Sequence, residues 1–229
     1  MSRALQAIVF DFDGVIANSE PLHLLAFQQA LADDGVELSA TDYYSRYLGY
    51  DDVGMFEALA KDRRIAMSGE HVTALVVRKG ERMQDMLRSG TVLFPGATEF
   101  IREAAAAVPI AIASGAMRHE IEEVIDAAGV SDLFATIVAA GDTPQSKPSP
   151  APYRLALERL REASRRDIDP RRAVAIEDSK WGLESAQGAG LRLVGVTNSY
   201  PAHELTGAEL VVDSLTALTL PTLDRLCAT

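Results

Sequence analysis

The sequence predicts an α/β protein: a doubly wound parallel sheet of Rossmann-like type, with a helical cap domain inserted into it. Two observations carry this. Short β-branched runs alternate with helical patterns through most of the chain, the signature of βαβ units. The alternation then stops once, over residues 18–90, where helical blocks follow one another with no convincing strand.

The runs at 7–12 (AIVFDF), 110–114 (IAIAS), 136–140 (TIVAA), 173–177 (AVAIE), 193–197 (LVGVT) and 210–212 each read as a strand buried on both faces. Helical patterns at 97–107, 119–128 and 151–163 separate several of them. The interruption holds helical blocks at 21–32, 43–47, 52–61 and 71–87. Ser19 is placed as an N-cap and Pro21 sits in the first turn, where a missing N–H costs nothing. Leu24, Phe27 and Leu31 then share one helical face. The expected division is a core of residues 1–17 and 91–229 and a cap of residues 18–90, the chain re-entering the core near Leu93-Phe94-Pro95-Gly96. There is no internal repeat and no low-complexity tract.

Composition narrows the function. The chain has 229 residues, 48% hydrophobic and 24% charged, within the range of ordinary globular proteins. Its longest apolar stretch, 104–113, is broken by Pro109 and falls short of the roughly 20 residues a membrane span needs. Met1-Ser2-Arg3 leads directly into a strand pattern, so no secretory leader is expected. The single cysteine, Cys227, cannot close an internal disulfide, which suits a reducing cytoplasm. A formal charge of −11 argues against nucleic acid as a partner, because phosphate backbones bind Lys and Arg. Any phosphorylated ligand must then be met locally, by a metal ion and a few placed donors.

Four motifs stand at strand ends, where ligands bind in such sheets. Asp11-Phe12-Asp13-Gly14-Val15 places two acids two apart after the first strand, and their crowding calls for a cation or a shared proton. Alone, it also fits an acidic turn after an edge strand. Glu177-Asp178-Ser179 is a second acidic pair at a second strand end. Two such ends converging would supply the oxygen ligands that Mg²⁺ prefers, while a solvated acidic N-cap is the bland alternative. Ser114-Gly115-Ala116 offers a hydroxyl and bare N–H groups at a helix start, an anion site. Lys147, before Pro148, is biased toward an extended backbone that presents its ammonium group.

Taken together, the order, placement and residue types of these motifs resemble the haloacid dehalogenase-like hydrolase superfamily. The resemblance is strongest to its β-phosphoglucomutase/phosphoglycolate phosphatase-like branch. It covers nearly the whole chain, through Asp11–Ile16, Ser19-Glu20-Pro21-Leu22-His23, Pro95-Gly96, Ser114-Gly115, Lys147-Pro148, and Ile176-Glu177-Asp178-Ser179 with Gly182. It implies a phosphatase of a small phosphorylated metabolite, a sugar or polyol phosphate. Asp11 would be the nucleophile forming an aspartyl-phosphate, and Asp13 the general acid and then base. Mg²⁺ would be held by the Asp11 carboxylate, the Asp13 backbone carbonyl and Asp178, with Glu177 as a further or alternative ligand. Ser114, Gly115, Ala116 and Lys147 would bind the phosphoryl oxygens. Asp13 also disfavours dehalogenase and phosphonoacetaldehyde hydrolase chemistry, which lack an acid there.

A phosphosugar mutase is the alternative within the family, and a non-catalytic binding member of the fold the alternative outside it. Ser19 and His23 resemble the mutase pattern, though an N-cap and a helix-surface histidine explain them equally. Leu48-Gly49-Tyr50-Asp51-Asp52 departs from that pattern, with Leu48 in place of a lysine and Asp52 in place of an arginine. That loss of cap cations favours a neutral, hydroxyl-rich leaving group, contacted by Tyr50, Asp51 or the tyrosines at 43, 44 and 47. Arg46 would rescue a second anion only if it faced inward. Trp181, the single tryptophan, reads as packing between helix and sheet, or as lining an entrance.

Overall fold

A computed structural model describes residues 3–48, 50–89 and 92–228. Gly49 of the Leu48–Asp52 segment and the expected boundary at 90–91 lie outside them. The chain forms two compact units, Met1–Asn18 with Thr91–Thr229, and Ser19–Gly90.

The first unit is a six-stranded parallel sheet. Its strands are β1 (Ala7–Phe10), β2 (Ile110–Ala113), β3 (Phe134–Val138), β4 (Ala173–Glu177), β5 (Arg192–Val196) and β6 (Leu210–Val212), in the order β3-β2-β1-β4-β5-β6. The winding direction therefore reverses between β1 and β4, and the crevice at their carboxyl ends is where such sheets bind ligands. Residue size alternates with the two-residue period of the strands. Ala7, Val9, Ala111, Ala113, Ala173 and Ala175 make one flat face, against which Tyr153, Ala156, Leu157 and Leu160 of helix Ala151–Ser164 pack. The bulkier alternates include Phe10, whose ring meets Phe100 of helix Ala97–Ala107 edge to face at 6.1 Å. Burying each large side chain contributes about 1.5–3 kcal/mol.

Two strands differ by two residues from their sequence patterns, and β2 and β5 by one. β1 stops at Phe10 because the Phe12 carbonyl accepts from the N–H groups of Val15, Ile16 and Ala17, curling the chain into a turn. β3 runs over 134–138 rather than 136–140, since the chain leaves the sheet toward Gly141, at φ 85°. Helices Arg118–Ala127, Lys180–Gly188 and Leu220–Cys227 also belong to the unit, the last two N-capped by Ser179 and Thr219.

The second unit is helical: Glu20–Ala32, a short turn at Ala40–Asp42 running into a π-helical turn at Tyr43–Tyr47, then Asp52–Arg63 and Gly69–Ser89. No strand occurs among its described residues. Its own core gathers Phe27, Leu31, Tyr43, Tyr47, Met55, Phe56, Leu59 and Leu75, with Leu24 packed against it. Among the described residues no helix is long and apolar enough to cross a membrane.

Candidate active site

The Asp11 N–H donates to the Ile176 carbonyl at 2.9 Å, prolonging the β1–β4 ladder by one bond and fixing Asp11 at the end of the central strand. Asp11 is buried, 7% exposed. Asp13 follows in the turn rather than in the strand, half-buried, with its backbone bridged to Ala17. Gly14 is required there twice. Its φ is 75°, and a Cβ would fall 1.8 Å from Asp178 Oδ2. The turn is tied from the far side by Asn198, whose Nδ2 donates to the Gly14 carbonyl at 2.7 Å.

Glu177 ends β4 and Asp178 follows it, 0% and 6% exposed. One carboxylate oxygen from each of Asp11, Glu177 and Asp178 lies within 4.8 Å of the others. Into this cluster reaches Lys147, whose Nζ is 2.8 Å from Asp11 Oδ1 and 2.6 Å from Glu177 Oε1. Lys147 meets Glu177 as an aligned hydrogen bond, but meets Asp11 only as an ion pair, so Asp11 Oδ1 is a buried oxygen with no donor aligned on it.

Glu177 is held by five donors. Its Oε1 accepts from Lys147 and from the Tyr153 hydroxyl at 2.8 Å, and its Oε2 from the N–H groups of Asp178 and Ser179 and from Ser179 Oγ. The cradle closes over Gly182, where a Cβ would sit 1.9 Å from the carboxylate.

Three carboxylates against one ammonium leave two negative charges in a buried site. Burial, and then the charge of Glu177, push Asp11 up to about 7, with Lys147 opposing. Asp178 is raised well above the usual carboxylate range by burial, then by Asp11 and Glu177. Lys147 is pushed upward by the two acids although burial opposes it, so it stays charged. Acids this crowded are relieved by a cation with oxygen preference. The donor set fits Mg²⁺.

Ser114 follows β2, buried, its N–H donating to the Val138 carbonyl at 2.9 Å. Its Oγ accepts the Ala116 N–H at 3.0 Å, so that backbone donor is engaged within the loop. Gly115 has open space where a Cβ would be, and helix Arg118–Ala127 begins just beyond.

The remaining expected residues, Trp181 apart, belong to the helical unit. Ser19 stands at the N-cap of helix Glu20–Ala32, in helical conformation and without a side-chain cap hydrogen bond. His23 is partly buried, and Lys79 Nζ lies 2.9 Å from its Nδ1. Burial, then the Lys79 charge, lower His23 to about 3, so the ring is neutral and Nδ1 accepts from Lys79. Lys79, 2% exposed, pairs with Asp52 at 2.9 Å and lies over the Phe27 ring. Asp51 N-caps helix Asp52–Arg63, accepting the Gly54 N–H at 2.7 Å, and Tyr50 is 55% exposed. Tyr43 and Tyr47 are core residues, and Arg46 pairs with Asp62 at the surface. Trp181 is 40% exposed, stacked edge to face on Tyr200 rather than packed between helix and sheet.

A family model described as haloacid dehalogenase-like hydrolase matches residues 8–196. The chain belongs to that family. Among curated relatives, this haloacid dehalogenase-like hydrolase is 33% identical to protein CbbY of Cereibacter sphaeroides over 93% of its length and 94% of the relative's. It is 28% identical to a phosphorylated carbohydrates phosphatase of Thermotoga maritima, covering 85% and 87% of the two chains. A crystal structure of mutant CbbY from Rhodobacter sphaeroides, in complex with xylulose-(1,5)bisphosphate, superposes with a TM-score of 0.80. That chain is 31% identical, with 93% and 96% of the two covered. The enzyme class is phosphoric monoester hydrolase.

Sequence reasoning missed Tyr153, Asn198, Ser199 and the burial of Lys79. Ser199 hydrogen-bonds Asp178, which lowers that acid against the other influences. Its signal was its place just beyond β5, a strand end beside β4. Tyr153 and Lys79 sit inside amphipathic helices and carried no signal.

Proposed function

We propose that the enzyme is a Mg²⁺-dependent phosphatase of a small sugar or polyol phosphate, working through an aspartyl-phosphate on Asp11. The supporting observation is the buried excess of carboxylate over ammonium around Asp11, within one crevice at the β1/β4 switch point. The Asp11 carboxylate attacks phosphorus, and the ester oxygen leaves with a proton from Asp13. Asp13 then takes a proton from water, which attacks the phosphorus of the acyl phosphate and releases inorganic phosphate and free Asp11. Lys147, Ser114 and the backbone N–H groups at Gly115 and Ala116 oppose the charge spreading over the phosphoryl oxygens, the Ala116 donor after leaving Ser114 Oγ. Bound Mg²⁺ would be held by Asp11, Asp178 and the Asp13 backbone carbonyl, and would neutralise both the acids and the transferring group. Glu177 is better suited to holding Lys147, since five donors already meet its two oxygens.

Residues 18–90 are proposed as the cap that selects the leaving group, with Ser19, His23, Tyr50 and Asp51 as candidates for contacting it. A hydroxyl-rich leaving group is supported by cation pairing in that unit: Lys79 with Asp52, Arg46 with Asp62, Arg63 with Asp42. Cys227, buried and without a disulfide, suits a reducing cytoplasm, the compartment we assign.

The test is phosphate release from a panel of sugar and polyol phosphates with Mg²⁺, repeated with Asp11→Asn. Release that the substitution lowers by at least about 10³-fold is the expected result. Isomerised ester without free phosphate, or activity surviving the substitution, would overturn the reading.

A further inference from the structure

Glu177 Oε1 serves two donors at once, Lys147 at 2.6 Å and the Tyr153 hydroxyl at 2.8 Å. Lys147 in turn divides itself between Glu177 and Asp11, the latter at 2.8 Å. Building on the phosphatase reading above, we propose that Tyr153 is a positioning residue for phosphoryl transfer, setting through Glu177 how tightly Lys147 is held.

An oxygen that accepts two hydrogen bonds gives less to each than an oxygen serving one donor. Glu177 has no solvent contact, so no water can replace a donor that is removed. With the Tyr153 hydroxyl in place, Oε1 holds Lys147 firmly enough to aim it, yet leaves its charge available beside Asp11. Without the hydroxyl, Oε1 would turn wholly to Lys147, drawing the ammonium toward Glu177 and away from the position of an incoming phosphoryl oxygen. Burial and then the Glu177 charge keep the Tyr153 phenol protonated, so the hydroxyl is a permanent donor. The ring contributes separately, since Lys147 Nζ stands 5.2 Å from its centroid and is braced from one side. Tyr153 is fully buried in helix Ala151–Ser164, so it touches neither substrate nor reacting atoms.

Tyr153→Phe separates the two contributions, keeping the ring and removing the hydroxyl. The decisive readout is inhibition by inorganic phosphate, measured beside kcat, KM and thermal unfolding on the substrate that the panel identifies. Expected are a loss of about tenfold in phosphate affinity and a fall of about tenfold in kcat, as for other residues that orient a catalytic group from behind. A lower melting temperature with phosphate affinity and kcat unchanged would make Tyr153 a packing residue and overturn the proposal. Absence of phosphate inhibition in the wild-type enzyme would instead overturn the phosphatase reading itself. Should the Phe variant not fold, 3-fluorotyrosine at position 153 gives a stronger donor of nearly the same shape. It should tighten phosphate inhibition, and unchanged or weaker inhibition would contradict the proposal.

Discussion

Two charge clusters, one in each unit, differ in how far they are buried and in how large an excess of acid they hold. In the α/β unit, Asp11, Glu177 and Asp178 face one Lys147, and Asp11 and Asp178 are driven upward in pKa by burial and by their acidic neighbours. In the helical unit, Lys79 is matched by Asp52, His23 is neutral, and Glu20 accepts the Tyr43 hydroxyl at 2.5 Å. The second cluster carries the smaller excess, two acids against one ammonium, and is the more open to solvent, Asp52 keeping 34% of its side chain exposed. The first is in deficit by positive charge, and such a deficit inside a protein is sustained when a cation completes it. What separates the two clusters is therefore the size of the buried imbalance rather than the burial of a charge by itself.

The largest test of this contrast exchanges each lysine for methionine, keeping the stem and removing the charge. Lys147→Met leaves three buried acids unopposed and should cost about 3–5 kcal/mol of metal-free stability at neutral pH. Lys79→Met should cost less, because its partner Asp52 keeps 34% of its side chain exposed and solvent screens it. The sharper outcome is the response to Mg²⁺. Added ion should restore part of the stability lost in Lys147→Met and none of that lost in Lys79→Met, as followed by urea unfolding. Equal rescue of both would erase the distinction between the clusters.

A smaller effect probes the helical unit's cluster through pH. Burial and Lys79 hold His23 at about 3, against an ordinary value of roughly 6.5 in the unfolded chain. Between those values the unfolded chain carries a proton that the native one lacks, so this contribution is complete above about 6.5 and is lost as pH falls toward 3. Replacing His23 with Gln should flatten that slope. Subtracting the variant's unfolding midpoints from the wild-type ones at pH 5 and pH 7 isolates His23 from the opposite slope of Asp11. A difference that does not change with pH would mean the ring is charged or solvated.

Much of the fold was legible because buried parallel strands read as unbroken apolar runs, and the run of helical blocks over 18–90 broke the rhythm plainly. The strand order was not, since it is decided by which runs pair across long separations, such as Ile8 with Ile110 and with Val174. At the candidate site, the motifs at 11–15, 114–116 and 177–178 were legible as polar residues following apolar runs, and Lys147 through the proline that follows it. The structure brings Asp11, Lys147, Glu177 and Asp178 together. What stayed hidden were contacts made by residues that look ordinary in their own segments. Tyr153 reads as a helix core aromatic, although its hydroxyl meets a carboxylate 24 residues away in sequence. Lys79 reads as a solvated charge in a long amphipathic helix, and only its neighbours His23 and Asp52 reveal it as buried. Leu48 and Asp52, where the mutase pattern has cations, are thus only part of the helical unit's charge balance, because Lys79 supplies a cation that Asp52 then neutralises.

If the deficit around Asp11 is there to bind a divalent cation, calorimetric titration of Mg²⁺ into metal-free protein is the most direct measurement of it. One Mg²⁺ should bind per chain, with binding abolished or greatly weakened in Asp178→Asn and unaltered in Asp52→Asn. No heat of binding to the wild-type chain, or binding that survives Asp178→Asn unchanged, would contradict that role for the buried acids.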